Sequence, residues 1–164
     1  MYFLLSYAAG NKLYIYHFDV ETAFLLSDID KTIYTEQPDG YTDSKYPPND
    51  FILLLNKALY GLKQSAWLWS NNVKSKFLSP GFRQSDADET VFTRQDGDHI
   101  TIVAVYIDDF FIISDTTDKI NNLESQLSES YTINNLGPVK HFFGLDIYRQ
   151  TPTGPIFVSV TNVW

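Results

Sequence analysis

Cysteine is missing from this 164-residue sequence and methionine occurs once, which excludes a disulfide framework and a thiolate metal centre. Any metal it binds must sit on oxygen or histidine, and the lack of disulfides suits a reducing compartment. Positive charge is scarce too: 12 Lys and Arg against 20 Asp and Glu give a formal net charge of −8. That is the wrong sign for a module that grips a nucleic-acid backbone by electrostatics alone. No run approaches the roughly 18 uninterrupted apolar residues of a membrane span. The apolar opening from Met1 to Gly10 lacks a basic start, so it reads as part of a core helix and not as a signal peptide, and no membrane partner is expected.

What the sequence has in plenty is aromatic bulk: 16% of residues are Phe, Tyr or Trp within a hydrophobic content of 44%. Such a chain is not disordered, and its length can bury one core, so a single domain over residues 1–164 is expected. Residues 13–20 alternate Leu13, Ile15, His17 and Asp19 against Tyr14, Tyr16, Phe18 and Val20, the pattern of a strand ending near Asp19. Turn formers crowd residues 37–50, which read as a loop, and an insertion is expected around residues 28–58. After Gly61 the spacing of Leu62, Ala66, Trp69, Val73 and Phe77 predicts a helix that buries one face and stops at Pro80-Gly81.

Further along, Asp96-Gly97-Asp98 joins two β-like runs into a hairpin, and Asp108-Asp109 interrupts two more, over residues 102–107 and 110–113. Thr117 or Asp118 caps a helix that buries Ile120, Leu123 and Leu127; Gly137-Pro138 ends that region. Residues 141–148 and 155–160 read as two final strands. The order of elements predicts an α+β fold with helices packed on one face of an antiparallel sheet.

Asp108 and Asp109 are adjacent acids between apolar strands, where ionised carboxylates are costly unless cations or donors meet them. Aspartate also suits a turn for purely conformational reasons. Asp19 shifts the balance, because a neighbouring strand in the same sheet would bring it beside that turn. Three converging carboxylates suit hard divalent cations that leave positions for phosphate oxygens, the requirement of two-metal nucleotidyl transfer.

Three stretches then carry a resemblance: His17-Phe18-Asp19-Val20-Glu21-Thr22-Ala23-Phe24, Ala58-Leu59-Tyr60-Gly61-Leu62-Lys63-Gln64-Ser65 and Tyr106-Ile107-Asp108-Asp109. In this order they resemble the central motifs of reverse transcriptases from copia-type long-terminal-repeat retrotransposons, parts of Pol polyproteins. Residues 33–41, Asn135-Leu136-Gly137 and Phe142-Phe143-Gly144-Leu145-Asp146-Ile147 are similar to that family as well. The resemblance spans residues 13–148.

It implies an RNA-directed DNA polymerase, a nucleotidyltransferase, with a ferredoxin-like palm. Asp19, Asp108 and Asp109 would be catalytic, and together with the Val20 carbonyl would hold two Mg2+ ions, Mn2+ being the alternative. Phe24 would lie beneath the nucleotide sugar and disfavour a 2′-hydroxyl, while Gly61 would admit nucleotide or template closely. Lys63, Gln64, Ser65, Tyr106 and Gly144 would contact template or primer. An ordinary core role fits Phe24 equally, a turn fits Gly61, and a solvated cation fits Lys63.

The implied partners are an RNA or DNA template-primer, deoxynucleoside triphosphates and other parts of a retrotransposon polyprotein. The implied setting is intracellular and cytoplasmic, within a virus-like particle for an active element, or the nucleus. Departures from the family pattern include Ala66 and Trp67 in place of Pro and Arg, and Leu25-Leu26-Ser27-Asp28 in place of an Asn-Gly turn. Fingers are expected to be incomplete, with thumb and RNase H absent, which accounts for the shortage of basic residues. The alternative is a catalytically inactive transposon remnant or incomplete reading frame that keeps the palm signature. A palm-type nucleotide cyclase is a weaker third reading, since it leaves residues 59–64 without explanation.

Overall fold

Residues 1–40, 45–47 and 51–160 are described by a computed structural model. In chain order its elements are α1 (Tyr2–Gly10), β1 (Tyr14–Val20), a 3-10 helix (Ala23–Leu26), β2 (Tyr34–Thr35), β3 (Leu53–Leu54), α2 (Ser65–Leu78), β4 (Arg83–Gln84), β5 (Val91–Asp96), β6 (His99–Tyr106), β7 (Asp109–Ser114), α3 (Thr117–Ser128), β8 (Ile133–Pro138), β9 (His141–Phe142), β10 (Leu145–Arg149) and β11 (Ile156–Val160). They divide into two units, one of residues 1–21 and 74–164, the other of residues 22–73. Antiparallel sheets and three α-helices make a mixed fold compatible with the α+β expectation.

The first unit is built on a six-stranded antiparallel sheet of order β4-β5-β6-β7-β1-β8, beside a three-stranded sheet of order β11-β10-β9. β7 is buried from Phe110 to Ser114 on both of its faces, so each face of the central sheet needs its own cover. On one face Ile15, Ile102, Phe111 and Ile113 pack with Leu4, Leu5 and Ala8 of α1 and with Phe142, Leu145 and Ile147. On the other, the Phe110 ring meets Phe77 at 5.6 Å and Tyr131 at 6.3 Å. The end of α2 and the Leu123–Leu127 side of α3 converge there around Tyr131. Helices on a single face were expected; α1 instead covers the opposite face, because apolar residues of consecutive strand positions point both ways.

Several local expectations are refined. The expected strand over residues 13–20 forms as β1, and the hairpin at residues 96–98 closes with Asp96 opposite His99 and Gly97 at φ 63°. The cap of α3 is Thr116, whose hydroxyl accepts from the Lys119 amide, and not the expected Thr117 or Asp118; Ile120, Leu123 and Leu127 are buried as expected. Gly137-Pro138 does not follow a plain break: it closes a strand, β8, that low β-propensity at Asn134 and Asn135 had hidden. Residues 141–148 form two strands, β9 and β10, joined by a turn at Phe143 (φ 56°) and Gly144 (φ 72°).

In the second unit the 3-10 helix leads into a two-stranded ribbon, with Tyr34 opposite Leu54 and Thr35 opposite Leu53. The ribbon is extended by the Ala58 amide donating to Ser27 O at 3.0 Å and by a Lys57–Asp28 ion pair at 2.6 Å. Of the loop expected over residues 37–50, residues 41–44 and 48–50 lie outside the described residues. α2 starts in this unit and ends in the first. It begins at Ser65 and not at Leu62, and its buried positions are Ser65, Trp69, Val73 and Phe77, a run of fours in which the expected Ala66 is exposed.

Candidate active site

Asp108 sits on the two-residue turn between β6 and β7, which Tyr106 and Asp109 close as opposed residues. Ile107, the first residue of that turn, has φ 53°. A β-branched residue is unfavourable in the left-handed region, where two-residue hairpins usually place glycine or asparagine, and costs on the order of 1–3 kcal/mol. Such strain persists only where the surroundings fix the turn. Here the Val20 amide donates to the Asp108 carbonyl at 2.8 Å, tying the turn to the end of β1. Asp109 is thereby the first residue of β7, not part of the loop between the strands, and its Cα partner on β1 is Asp19.

Register thus brings Asp19, Asp108 and Asp109 to one end of the sheet. All three are half-buried, and Asp108 Oδ1 is shielded from solvent. Asp19 and Asp109, being directly opposite, leave the same sheet face and repel one another when ionised. Each has its own donor. Asn134 Nδ2 on β8 donates to Asp19 Oδ2 at 3.2 Å and to Glu21 Oε1 at 3.3 Å, while His17 Nε2 lies 2.6 Å from Asp109 Oδ1.

The aromatic surroundings come from the same unit. Tyr106 is exposed and its ring lies 4.0 Å from that of Phe143, also exposed, on the turn that holds Gly144. The expected Tyr106 and Gly144 are therefore brought to one neighbourhood. Phe142, the buried neighbour of Phe143, meets His17 edge-on with ring centres 5.3 Å apart.

The remaining expected residues belong to the second unit. Phe24 is buried in the 3-10 helix with its ring 4.5 Å from Tyr60, and Gly61 follows at φ 94°, a value that only glycine adopts readily. Lys63 is exposed and Gln64 half-buried. Ser65 is wholly buried and its hydroxyl donates to Leu59 O, a position inside the unit and not on its surface. Ala66 and Trp67, which stand where the family pattern has Pro and Arg, are exposed.

A family profile described as reverse transcriptase (RNA-dependent DNA polymerase) matches residues 1–162. The chain belongs to this family. It is 32% identical over 144 residues to a putative transposon Ty5-1 protein of Saccharomyces cerevisiae, covering 88% of this chain and 46% of that protein. A retrovirus-related Pol polyprotein from transposon TNT 1-94 of Nicotiana tabacum is 32% identical over 157 residues, 95% of this chain and 12% of the polyprotein. The corresponding polyprotein from transposon RE1 of Arabidopsis thaliana is 31% identical over 151 residues, 92% of this chain and 10% of the relative. The lineage is that of copia-type retrotransposon reverse transcriptases. The chain spans under half the length of each of these relatives.

Reverse transcriptases generally use a divalent metal, and the donor set can be tested against one. Carboxylate oxygens at one sheet end fit a hard cation in chemistry. Among the described residues no three His, Asp or Glu form a ready-made cage. That arrangement still fits magnesium, which commonly takes one or two carboxylates and completes its shell with water and substrate phosphate.

Two neighbours of the aspartates had no role assigned from sequence. His17 was legible in principle, since it lies two residues before Asp19 on the same strand face. Asn134 was not, because its strand carries no apolar alternation.

Proposed function

We propose that this chain forms the palm of an RNA-directed DNA polymerase that copies RNA into DNA, with a fingers-type insertion around residues 28–58. The observation that carries the reading is the register of β1 against β7, which sets Asp19 opposite Asp109 at the turn bearing Asp108. In the reaction the primer 3′-oxygen attacks the α-phosphorus of a deoxynucleoside triphosphate, a phosphodiester bond forms, the α–β anhydride bond breaks and pyrophosphate leaves.

Asp19, Asp108 and Asp109, with the Val20 carbonyl, would hold two Mg2+ ions or Mn2+ in their place. When bound, these ions neutralise phosphate charge and lower the pKa of the attacking hydroxyl. The strained turn at Ile107 keeps Asp108 at the strand end before substrate arrives. Phe24 disfavours a ribose 2′-hydroxyl, Gly61 lets the backbone approach the nucleotide, and Lys63 and Gln64 meet template phosphates. Ser65 supports that segment through its bond to Leu59 O. Tyr106 and Gly144 attend the primer end.

The partners are an RNA or DNA template-primer, deoxynucleoside triphosphates and the rest of a polyprotein, in an intracellular or virus-like-particle setting; relatives in Saccharomyces cerevisiae are named Gag-Pol polyproteins. Among the described residues no helix is long and apolar enough to cross a membrane. A second reading, a transposon-derived chain that keeps the fold without catalysis, rests on the uncharged Ala66 and Trp67 exposed at the start of α2.

Primer extension on an RNA template with Mg2+ or Mn2+ separates the two. Template-directed incorporation by the wild-type chain, abolished in Asp108→Asn, supports the polymerase. No incorporation by a cooperatively folded chain that binds metal supports the second reading.

A further inference from the structure

His17 takes no part in the chemistry described above, yet it is bonded into the carboxylate end of the sheet. It precedes Asp19 by two residues along the same strand face, and its Cα partner on β7 is Phe111, two residues beyond Asp109. The His17–Asp109 contact is therefore a cross-strand diagonal, and at 2.6 Å it is a short one. Because a carboxylate oxygen only accepts, Nε2 carries the proton and donates it.

The ring cannot swing away. Its side chain is 16% exposed. Phe142 abuts it edge-on with planes at 86°, and Phe142 in turn packs on Phe111 with ring centres 4.9 Å apart. A donor with a fixed ring fixes its acceptor, so Asp109 Oδ1 is drawn along the strand toward residue 17. Asn134 holds Asp19 from the other side. Two like-charged, directly opposed carboxylates are thereby kept in set orientations before any cation or substrate arrives.

We infer that His17 is a positioning residue of the polymerase site: by donating from Nε2 it fixes the Asp109 carboxylate, and through it the geometry offered to the divalent cation and nucleotide phosphates. The inference rests on the polymerase reading for its kinetic consequence. Its binding consequence stands apart from that reading.

Two amide substitutions isolate the donor. In His17→Gln the amide nitrogen reaches the place of Nε2, whereas in His17→Asn it reaches only the place of Nδ1, so the second variant keeps polarity and loses the bond. Manganese binding by the full 164-residue chain is followed by electron paramagnetic resonance, and nucleotide incorporation by steady-state kinetics. For His17→Asn the manganese Kd should rise about ten- to hundredfold, and kcat should fall by a similar factor, the usual range for a residue that orients a metal ligand. The nucleotide KM should move by less than about threefold, since the loss falls on the chemical step. His17→Gln should recover most of both losses. If His17→Asn does not unfold cooperatively in urea, His17→Leu replaces it with the same expectation.

Wild-type manganese affinity in the donor-less variant would overturn the inference. So would equal defects in the Gln and Asn variants, which would point to ring packing alone, or a wild-type chain that binds no manganese. If the binding pattern holds while even the wild type incorporates no nucleotide, the positioning role stands and the polymerase reading falls.

Discussion

Asp19 on β1 and Asp109 on β7 are Cα partners, so two carboxylates leave the same face of the sheet at its end. Directly opposed like charges oppose folding by about 0.2–1 kcal/mol. Asp19→Asn should therefore raise stability in metal-free buffer by about that amount, read as a higher urea midpoint. A lowered midpoint would mean that the Asn134 contact with Asp19 outweighs the repulsion.

Divalent cations should act in the opposite sense. An ion bound only by the folded chain adds about 2.7 kcal/mol at a hundredfold excess over Kd. Mg2+ or Mn2+ should raise the thermal midpoint of the wild-type chain, and the double variant Asp19→Asn, Asp108→Asn should show no such rise. An equal rise in both would place the ion elsewhere.

Phe77 is fully buried and its ring lies 5.0 Å from Phe92, 5.3 Å from Phe82 and 5.6 Å from Phe110. Truncating such a side chain forfeits its transfer free energy and leaves a cavity its neighbours only partly fill. Phe77→Ala should cost about 3–5 kcal/mol in equilibrium unfolding. Trp67→Ala, at an exposed position of the same helix, should cost under about 0.5 kcal/mol.

The hydroxyl of Thr116 accepts from the Lys119 amide at the start of α3. Thr116→Ala should cost about 1 kcal/mol, while Thr117→Ala, just inside the helix, should cost less. The reverse order would return the cap to Thr117.

Acid should weaken the fold through three aspartates whose carboxyls lie below the ordinary 3.8. Asp88 is lowered first by the Thr90 hydroxyl and then by the Thr90 amide, and Asp96 first by its Lys119 hydrogen bond. Burial pushes Asp115 up, but the hydrogen bond from His99 and further donors outweigh it. The folded values lie below the unfolded ones, so this stabilisation is complete above about pH 4 and is lost as pH falls through the folded values. Urea midpoints measured downward from about pH 6 should fall in that window, and less steeply in Thr90→Val.

Much of this was legible in the order of residues, and the parts that were not have identifiable causes. Alternation marked β1, although its burial shifts phase from Ile15 to Phe18 and Val20, and helical spacing marked Trp69, Val73 and Phe77 as one face, because burial in α2 follows the helical period. The carboxylate end was legible as motifs, while its geometry depended on the register of β1 against β7, which no local pattern encodes. β8 escaped notice because Asn134, Asn135 and Gly137 are poor strand formers, and it is held by pairing with β1. α1 on the second sheet face was invisible for a similar reason: Leu4, Leu5 and Ala8 say that a side is buried, not against what.

The most direct measurement is template-directed incorporation of a single deoxynucleotide onto an RNA-annealed primer by the purified chain, alongside Asp19→Asn, Asp108→Asn and Asp109→Asn. The account predicts incorporation that follows the template base in the wild type and loss of it in all three variants, each still folded. Incorporation that ignores the template, or that survives in Asp19→Asn and Asp108→Asn, would contradict it.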